Sequence, residues 1–360
     1  MKKSKGKKKH PLNWREVPAR LWRKKWLRVI AVIITILLVL FLTARFWNPI
    51  IFPPVKQANI GMSFSVKQTQ MLGLDWRETY RALLDEKTGM GIKHLRLMSY
   101  WDLYEPEQGK MDFAQLDEEI AIAKEYGADV SLAIGLRQPR WPECHEPDWA
   151  TNMDEKKWQA ALLNYIGAVV QRYEKNSTVI SWQLENEYYN GLFANCRLAT
   201  PTRLQTEYDL VRHYSKKPIW MSMSDQFGYT KDMPTVDRYG FSVYRVVYST
   251  GLYNGYMTFP TPIWYHRLRA AIISQTTGKD IFIHELQMEP WAPTDIPYAS
   301  YKEQDKSMSV NQIRESMLFA REIGAKDMYL WGGEWWYWRQ QRGDPSIWNT
   351  VREEINKAEQ

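Results

Sequence analysis

The sequence predicts an α/β protein of the (β/α)8 TIM barrel class, and three observations indicate it. Short β-like runs alternate with amphipathic helical stretches from about residue 57 onwards. There are eight such runs, which is the strand number of this barrel. A length of 360 residues suits one large barrel with a short appendage and is too short for two well-buried enzymatic domains.

The predicted strands are separated by helices with an apolar stripe. The strands are Ile60–Val66, His94–Ser99, Asp129–Gly135, Val179–Glu187, Pro218–Ser222, Gly240–Tyr244, Ile281–Glu285 and Asp327–Trp331. One of the stripes consists of Phe113, Leu116, Ile120 and Ala123. A doubly wound open sheet would show the same alternation, but GMSFSVKQTQ stands where that fold has a glycine-rich phosphate turn.

The N-terminal part of the chain predicts a transmembrane helix. Val29–Ala44 are sixteen uncharged and mostly apolar residues between Arg28 and Arg45. About 20 apolar residues span a bilayer, and Leu27, Phe46 and Trp47 extend the segment towards that length. The predicted regions are a basic tail at 1–28, a transmembrane signal anchor at 29–47, a proline-containing spacer at 48–56 and the barrel domain at 57–360.

The positive-inside rule predicts the orientation of this helix, because the basic residues precede it. We therefore expect a single-pass protein of the cell membrane, with a cytoplasmic N-terminus and an extracytoplasmic barrel. A cleaved signal peptide is the main alternative, but the segment ends LTARFW and lacks the small residues of a cleavage site. A buried core helix is the other alternative.

The charge distribution excludes a nucleic-acid binder. The net charge is +7, but residues 1–28 hold twelve Lys and Arg against one Glu, which leaves about −4 for the rest of the chain. A mildly acidic folded part has no affinity for a phosphate backbone. The expected partner of the N-terminal helix is the membrane, and no obligate protein partner is evident.

Two of the predicted strands end in glutamate. The fourth strand closes as ISWQLENEYYN and the seventh as IFIHELQMEPW, so Glu187 and Glu285 are expected at the same face of the barrel. Cleavage of a glycosidic bond requires such a pair, because one carboxyl must be protonated while the other is ionised. The alternative for a strand-end glutamate is a structural ion pair, which we expect for Glu185, Glu289 and Glu334.

These motifs resemble the clan A glycoside hydrolases, the barrel superfamily that includes cellulases, mannanases and β-galactosidases. The resemblance covers about residues 60–331. In that clan an asparagine and the acid/base end the fourth strand, which implies Asn186 and Glu187 here, and the nucleophile ends the seventh, which implies Glu285. Tyr188 departs from the proline that many members have after the acid/base, so the family within the clan stays open.

Further substrate-site residues are implied by the same resemblance. LRLMSYWDLYEPEQGKMDF is similar to the clan's arginine strand, which makes Arg96 the expected partner of the nucleophile. An arginine beside Glu285 would keep that carboxyl anionic, while Glu187 stays protonated in a less polar setting. Tyr244 matches the tyrosine that donates to the nucleophile, and Trp331 matches the tryptophan under the sugar.

Aromatic placement supports a carbohydrate substrate independently of the resemblance. Eight tryptophans follow the second, third, seventh and eighth strands, and sugar rings lie flat on such side chains. We include Trp101 among the substrate-binding residues, although several of these side chains are expected merely to pack loops. His145 is a further candidate for a sugar hydroxyl, with an ordinary loop residue as the alternative.

The cysteines and histidines predict a disulfide and no metal. Cys144 and Cys196 are the only cysteines and follow neighbouring strands in a domain expected outside the cytoplasm, so we predict that they are bonded. HELQM lacks the second histidine of a zinc-protease motif and lies on a strand. No metal site and no cofactor are expected.

The sequence as a whole predicts a retaining glycosidase that cleaves an extracytoplasmic poly- or oligosaccharide by double displacement. β-linked bonds are implied by the resemblance alone. Three alternatives remain open, namely an envelope transglycosylase, a non-catalytic glycan-binding barrel at the cell surface, and a scaffolding membrane protein. The glycan-binding barrel would need the tryptophans but neither carboxylate.

Overall fold

The structure is a computed structural model that describes residues 16–51, 53–191, 196–223, 228–250 and 254–360. The chain forms two units, one up to Ile51 and one from Phe52 to Gln360. The first unit contains helix α1, Glu16–Ile51. Residues 1–15 of the predicted basic tail lie outside the described residues.

Helix α1 contains the predicted apolar segment. Lys25–Thr43 has a mean hydropathy of 2.6, and none of this window is buried. Length and composition therefore fit a membrane-spanning helix, and they fit a signal sequence equally. The helix also includes residues 48–51 of the predicted spacer, and the sequence has two poor helix residues, Pro53 and Pro54, shortly after its end.

The second unit is a closed barrel of eight parallel strands, which confirms the predicted fold class. Its strands are β1 (Asn59–Ser63), β2 (His94–Met98), β3 (Asp129–Ile134), β4 (Val179–Leu184), β5 (Ile219–Ser222), β6 (Arg238–Val243), β9 (Asp280–Gln287) and β10 (Asp327–Trp331). All eight predicted strands are present, with ends shifted by a few residues. A small antiparallel hairpin of β7 (Val246–Ser249) and β8 (Gly255–Thr258), which the sequence analysis did not predict, lies between β6 and β9.

Helices cover the outside of the barrel. They are α2 (Val66–Met71), α3 (Trp76–Leu84), α4 (Trp101–Tyr104), α5 (Ala114–Glu125), α6 (Glu155–Tyr173), α7 (Pro201–Tyr214), α8 (Ile263–Thr277), α9 (Tyr301–Gln304), α10 (Val310–Ile323), α11 (Gly333–Gln341) and α12 (Ser346–Glu359). Several begin at a side-chain cap, for example the capping box of Ser309 and Gln312 at α10. Their buried stripes pack on the strands and form one core.

Strand β9 contains a bulge that matters for the site. Opposite β6, Phe241 pairs with Ile283 and Ser242 with Glu285, so β9 has one extra residue between the two pairs. The register against β10 shifts in the same place. Consecutive side chains of a regular strand point to opposite faces, whereas a bulge re-aims one of them. His284 and Glu285 are both buried and both contact the Arg96 side chain of β2.

Candidate active site

The structure brings the two predicted glutamates to the carboxyl end of the barrel. Glu285 lies on β9, and Glu187 follows the end of β4 by three residues. The two residues are 4% and 8% exposed. A single imidazole lies between their carboxyl groups, because His284 Nδ1 is 3.5 Å from Glu285 Oε1 and His284 Nε2 is 3.9 Å from Glu187 Oε1.

The Glu285 carboxylate accepts hydrogen bonds from two of the predicted residues. Arg96 donates from NH2 at 2.8 Å and the Tyr244 hydroxyl donates at 2.8 Å, one to each carboxylate oxygen. Burial by itself raises the pKa of Glu285, but the positive charge of Arg96 lowers it, and the pKa lies far below its ordinary value. Burial also raises the pKa of Tyr244 well above its usual value, so its hydroxyl keeps the proton that it donates.

Arg96 is fixed by neighbours from three strands. Its Nε donates to Ser63 Oγ at 2.8 Å, and its NH1 contacts Gln183 Oε1 at 3.2 Å and His284 Nδ1 at 2.8 Å. The side chain is buried, so each donor needs such an acceptor. The fork is thereby held in one orientation, with NH2 aimed at Glu285.

The Glu187 carboxylate has a different set of neighbours. Ser242 Oγ donates to Oε1 in a very short hydrogen bond, and Asn190 Nδ2 donates to Oε2 at 2.8 Å. The backbone N–H of Glu187 donates to Ser222 Oγ at 2.9 Å. Glu185 and Glu187 both have positive φ, 56° and 44°, a conformation that ordinary side chains rarely adopt. This strained turn follows β4 and places Glu187 at the carboxyl end of the barrel.

The side-chain amide of Asn186 makes hydrogen bonds through both its oxygen and its nitrogen. Its Oδ1 accepts from Gln183 Nε2 and from Ser222 Oγ, both at 3.2 Å. Its Nδ2 donates to Glu143 Oε2 at 3.3 Å. The amide is therefore oriented from both sides, with its N–H2 group directed toward a third acidic residue.

Glu143 is a third carboxyl of this site that the sequence analysis missed. It lies in the loop after β3, with a φ of 70° and Arg137 Nε 3.7 Å from its Oε2. Burial raises the pKa of Glu143 to about 8, and the nearby charges of Glu285 and Glu187 act in the same direction against Arg137. The sequence analysis noted the surrounding segment RQPRWPECHEPDW only for its His145.

The predicted ion-pair glutamates are paired. Arg140 bonds Glu289 in a very short contact and donates to Glu334 at 2.9 Å. Its guanidinium lies 4.0 Å from the ring centroid of Trp331, which is 7% exposed. Glu185 accepts hydrogen bonds from the backbone N–H groups of residues 136 and 137 at 2.9 and 2.7 Å.

Trp331 ends β10 at the same face of the barrel as Glu187 and Glu285, and the Arg140 guanidinium is stacked on its ring.

The prediction of Trp101 as a sugar platform is wrong. Its side chain is completely buried, its indole N–H donates to Glu105 at 2.7 Å, and its ring packs against Trp149, Trp158 and Tyr165. A ring enclosed in this way offers no face to a ligand. The polar group of the indole is satisfied by a neighbour one helical turn away, which makes Trp101 a core residue.

His145 does not reach a sugar either, because it is fully buried. Its Nδ1 lies 2.9 Å from Lys67 Nζ, and its Nε2 lies 3.2 Å from the Arg140 carbonyl oxygen. Lys67 also donates to both carboxylate oxygens of Asp102. His145 therefore ties the β3 loop to the loops after β1 and β2, which is the ordinary loop role that the sequence left open.

The structure contains the disulfide between Cys144 and Cys196, with 5.6 Å between their Cα atoms and a sequence separation of 52. Cys144 follows Glu143 directly, and Arg137 contacts Cys196 Sγ at 3.8 Å. The bond therefore fastens the loop that carries Glu143 to the segment that follows β4.

Comparison with known proteins supports the resemblance. Residues 75–212 match the model of the Glyco_hydro_42 family, described as beta-galactosidase. Beta-galactosidase BgaH of Haloferax lucentense is 25% identical over 130 residues, which are 31% of this chain and 20% of that protein. Beta-galactosidase BbgII of Bifidobacterium bifidum is 27% identical over 130 residues, which are 31% and 18%. The chain therefore spans about one fifth of the length of the curated relatives that it matches.

Solved structures share the barrel. A beta-galactosidase of Halorubrum lacusprofundi superposes with a TM-score of 0.53 and 13% identity over 83% of this chain and 57% of that one. Xylanase 10B of Thermotoga maritima gives a TM-score of 0.53 and 16% identity over 84% and 95%. At these identities the likeness shows the fold alone. With the family match over residues 75–212, it confirms the predicted resemblance of this (β/α)8 barrel to the clan A glycoside hydrolases.

Proposed function

We propose that this chain is a retaining glycoside hydrolase in which Glu285 is the nucleophile and Glu187 the acid/base. The observation that carries the proposal is the contrast between the two buried carboxyls at one end of the barrel. Glu285 has a direct cationic partner at 2.8 Å, and Glu187 is held by the neutral donors Ser242 and Asn190. Glycosidic bond cleavage needs this division of roles between an ionised and a protonatable carboxyl.

The proposed reaction has two steps. In the first, Glu285 attacks the anomeric carbon, the bond to the leaving oxygen breaks, and the Glu187 proton moves to that oxygen. In the second, Glu187 takes a proton from water, the water oxygen bonds to the anomeric carbon, and Glu285 leaves as a carboxylate. Each step inverts the anomeric centre, so the product keeps the configuration of the substrate.

The substrate proposal rests on the relatives and on the residues around the pair. The curated relatives are named beta-galactosidases, so we infer a β-linked glycoside as the substrate. Asn186 and Tyr244 are proposed to contact its hydroxyl groups, and Trp331 to support the ring. No cofactor enters the two steps, because both proton and nucleophile come from side chains.

The N-terminal helix supports a location for this activity. Its apolar window of 19 residues has the length of a membrane span, and positively charged residues precede it. We infer a single-pass signal anchor with a cytoplasmic N-terminus and the barrel outside the cytoplasm. The substrate would then be an oligosaccharide or polysaccharide of the cell envelope or its surroundings.

The test uses the full chain in detergent micelles and a panel of 4-nitrophenyl β-glycosides. We expect turnover of at least one of them and a fall of about a thousandfold or more in kcat/KM for Glu285→Gln. A matched control is Glu119→Gln, which changes a carboxyl that is equally buried but lies on α5, where Tyr104 donates to it. The control should keep the wild-type activity.

Two measurements decide the mechanism. A 2-fluoro glycoside should label the protein at Glu285, which peptide mass spectrometry locates. Glu187→Ala with an activated aryl glycoside should regain turnover in azide and give the glycosyl azide of retained configuration. Inverted product in the first minutes of reaction would overturn the retaining mechanism. Wild-type inactivity against the whole panel, with saturable binding of glycans, would replace the hydrolase by a glycan-binding barrel.

A further inference from the structure

His284 occupies an unusual position for the residue before a strand-end glutamate. It sits at the bulge of β9 and is fully buried inside the barrel, beside Glu285 instead of opposite to it. Gly240 on β6 makes room for it, since a Cβ at that position would come within 2.9 Å of the His284 Cβ and 3.2 Å of its Cδ2. Backbone and neighbour together therefore place an imidazole between the two carboxyls.

Both ring nitrogens of His284 have partners. Nδ1 lies 2.8 Å from Arg96 NH1, and Nε2 lies 3.0 Å from Ser242 Oγ. Ser242 in turn contacts Glu187 Oε1. A continuous chain of hydrogen bonds thus runs from the arginine that pairs with Glu285 to the carboxyl of Glu187.

The chemistry of its members fixes the direction of this chain. Arginine only donates, so Nδ1 must accept and the proton of a neutral imidazole lies on Nε2. That N–H donates to Ser242 Oγ, and the single hydroxyl proton of Ser242 is then left for Glu187 Oε1. Oε1 is an acceptor in this arrangement, because a proton on it would face the serine proton. Asn190 Nδ2 donates to the other oxygen, Oε2, so the Glu187 carboxyl is held in one orientation by a donor at each oxygen.

We propose that His284 is a positioning residue, which acts through Ser242 to hold the carboxyl of the acid/base Glu187 in one orientation. This inference rests on the proposed function and deepens it. The same imidazole accepts from Arg96, so one buried side chain orients the partner of the nucleophile and the carboxyl of the acid/base. Neither His284 nor Ser242 needs to touch the substrate.

The surroundings of His284 keep it neutral, as this role requires. Burial lowers the pKa of His284, and the charges of Arg96 and Arg269 act in the same direction against Glu285. The other titratable groups that face the chain are Glu187 itself and the neighbours whose proton affinities it influences, Glu143 and Tyr244. A protonated imidazole would have to give up the hydrogen bond from Arg96.

The kinetic test compares Ser242→Ala with the wild type as a function of pH. Loss of the Ser242 hydrogen bond removes a donor that favours the ionised form of Glu187, so the pKa of Glu187 should rise. The acid/base must be protonated for the first step, so the basic limb of kcat/KM should move up by about one pH unit while kcat falls about tenfold. An unmoved basic limb would overturn the proposal.

Ser181→Ala is the matched control, because Ser181 is a fully buried serine of β4 whose Oγ has no hydrogen-bond partner among the described residues. It should leave the pH profile unchanged. His284→Gln offers a conservative rescue, since its amide can accept from Arg96 and donate to Ser242. We expect it to lie closer to the wild type than His284→Leu, and equal pH profiles for the two variants would contradict the relay.

A second measurement separates this proposal from the proposed function. Nitrogen NMR of the full chain, labelled with 15N-histidine in detergent micelles, reports the tautomer of each ring without any substrate. The His284 signals are identified by their loss in His284→Gln. We expect a neutral ring with the proton on Nε2 from about pH 5 to 8. A proton on Nδ1, or a ring that titrates near pH 6.5, would overturn the relay even in an active enzyme, whereas inactivity on every glycoside with the expected tautomer would overturn only the function.

Discussion

Glu285 and Glu143 are carboxyls at the same end of the barrel whose pKa values are shifted in opposite directions. Both are shielded from water, Glu285 more completely than Glu143, and this shielding alone would raise the pKa of either. Glu285 accepts from Arg96 at 2.8 Å and its pKa is held far below the ordinary value, whereas Arg137 Nε stays 3.7 Å from Glu143 and the pKa of Glu143 is about 8. Burial therefore raises the pKa of a carboxyl unless a cation in direct contact outweighs it.

The difference also reflects where each pair is built. Arg96 lies on a strand and is held by acceptors from three others, so its fork cannot turn away from Glu285. Arg137 and Glu143 lie in one loop, and Arg137 NH1 donates to the Asn190 carbonyl oxygen at 2.7 Å. Arg137 therefore stabilises the ionised form of Glu143 less than Arg96 stabilises that of Glu285.

The strongest test of this comparison removes the Arg96 cation. Arg96→Met leaves Glu285 buried without its cationic partner, so we expect a loss of about 3–5 kcal/mol in the free energy of unfolding and of nearly all glycosidase activity. Chemical denaturation and kcat/KM on an aryl glycoside measure the two effects. The double variant Arg96→Met/Glu285→Gln has no uncompensated charge and should recover most of the stability with none of the activity. If the single and double variants were equally unstable, the ion pair would not be what holds Glu285.

A smaller change removes the second donor to Glu285. Tyr244→Phe deletes a hydrogen bond of 2.8 Å to a charged group, worth about 1.5–3 kcal/mol, so kcat should fall by roughly one to two orders of magnitude. The acidic limb of the pH profile should move up, because the ionised form of Glu285 loses one of its donors. Tyr80→Phe is the control, since Tyr80 is buried with no hydrogen-bond partner for its hydroxyl among the described residues and lies on α3. A Tyr244 variant with the control's pH profile would show that Arg96 acts alone.

A third test of the comparison concerns the stability of the fold and Glu143. Its pKa is about 8 in the folded chain against an ordinary 4.5, so the folded state binds a proton that the unfolded state has released between these values. Stability should therefore fall as the pH rises through this window, by at most about 1.4 kcal/mol per pH unit from this group. Glu143→Gln should be more stable than the wild type at pH 8 and equal to it at pH 4, as measured by denaturant unfolding at each pH.

Glu119 makes the comparison for Glu143 sharper. Burial raises its pKa to about 8 as well, but it lies on α5 without a neighbouring carboxylate from the cleft. We expect Glu119→Gln to differ from the wild type as Glu143→Gln does, with a higher free energy of unfolding at pH 8 and an equal one at pH 4. In the presence of a glycosyl-enzyme that neutralises Glu285, only the Glu143 effect should shrink. A Glu143→Gln variant that follows the wild type at all pH values would show that Glu143 is ionised in the fold.

The strands were predictable because eight short apolar runs with helical stretches between them fit one architecture. The pair Glu187 and Glu285 was predictable for the same reason, since strand ends of a parallel barrel meet at one face. The position of His284 was not predictable. In a regular strand its side chain would point away from that of Glu285, and the sequence IFIHELQ contains no signal for the bulge that changes this. The prediction that Trp101 binds substrate was wrong, because its position after a strand does not reveal whether the following helical turn encloses its ring.

Loop residues were the hardest to predict. Glu143 and His145 are two residues apart in one segment, yet one faces the cleft and the other is buried between three loops. The positive φ of Arg140 and Glu143 sets this outcome, and neither is a glycine that would have indicated it. The packing of neighbouring loops decided which of the two side chains became a candidate for the site.

The bond between Cys144 and Cys196 has a consequence for where the protein can mature. It joins the segments after two neighbouring strands, next to Glu143 and the carboxyl end of the barrel. Cytosolic thiol pools keep such cysteines reduced, and extracytoplasmic compartments allow them to pair. With the orientation proposed for α1, the disulfide would form only after export of the barrel. Newly made chains on the inner side of the membrane would then lack the bond that fastens the Glu143 loop.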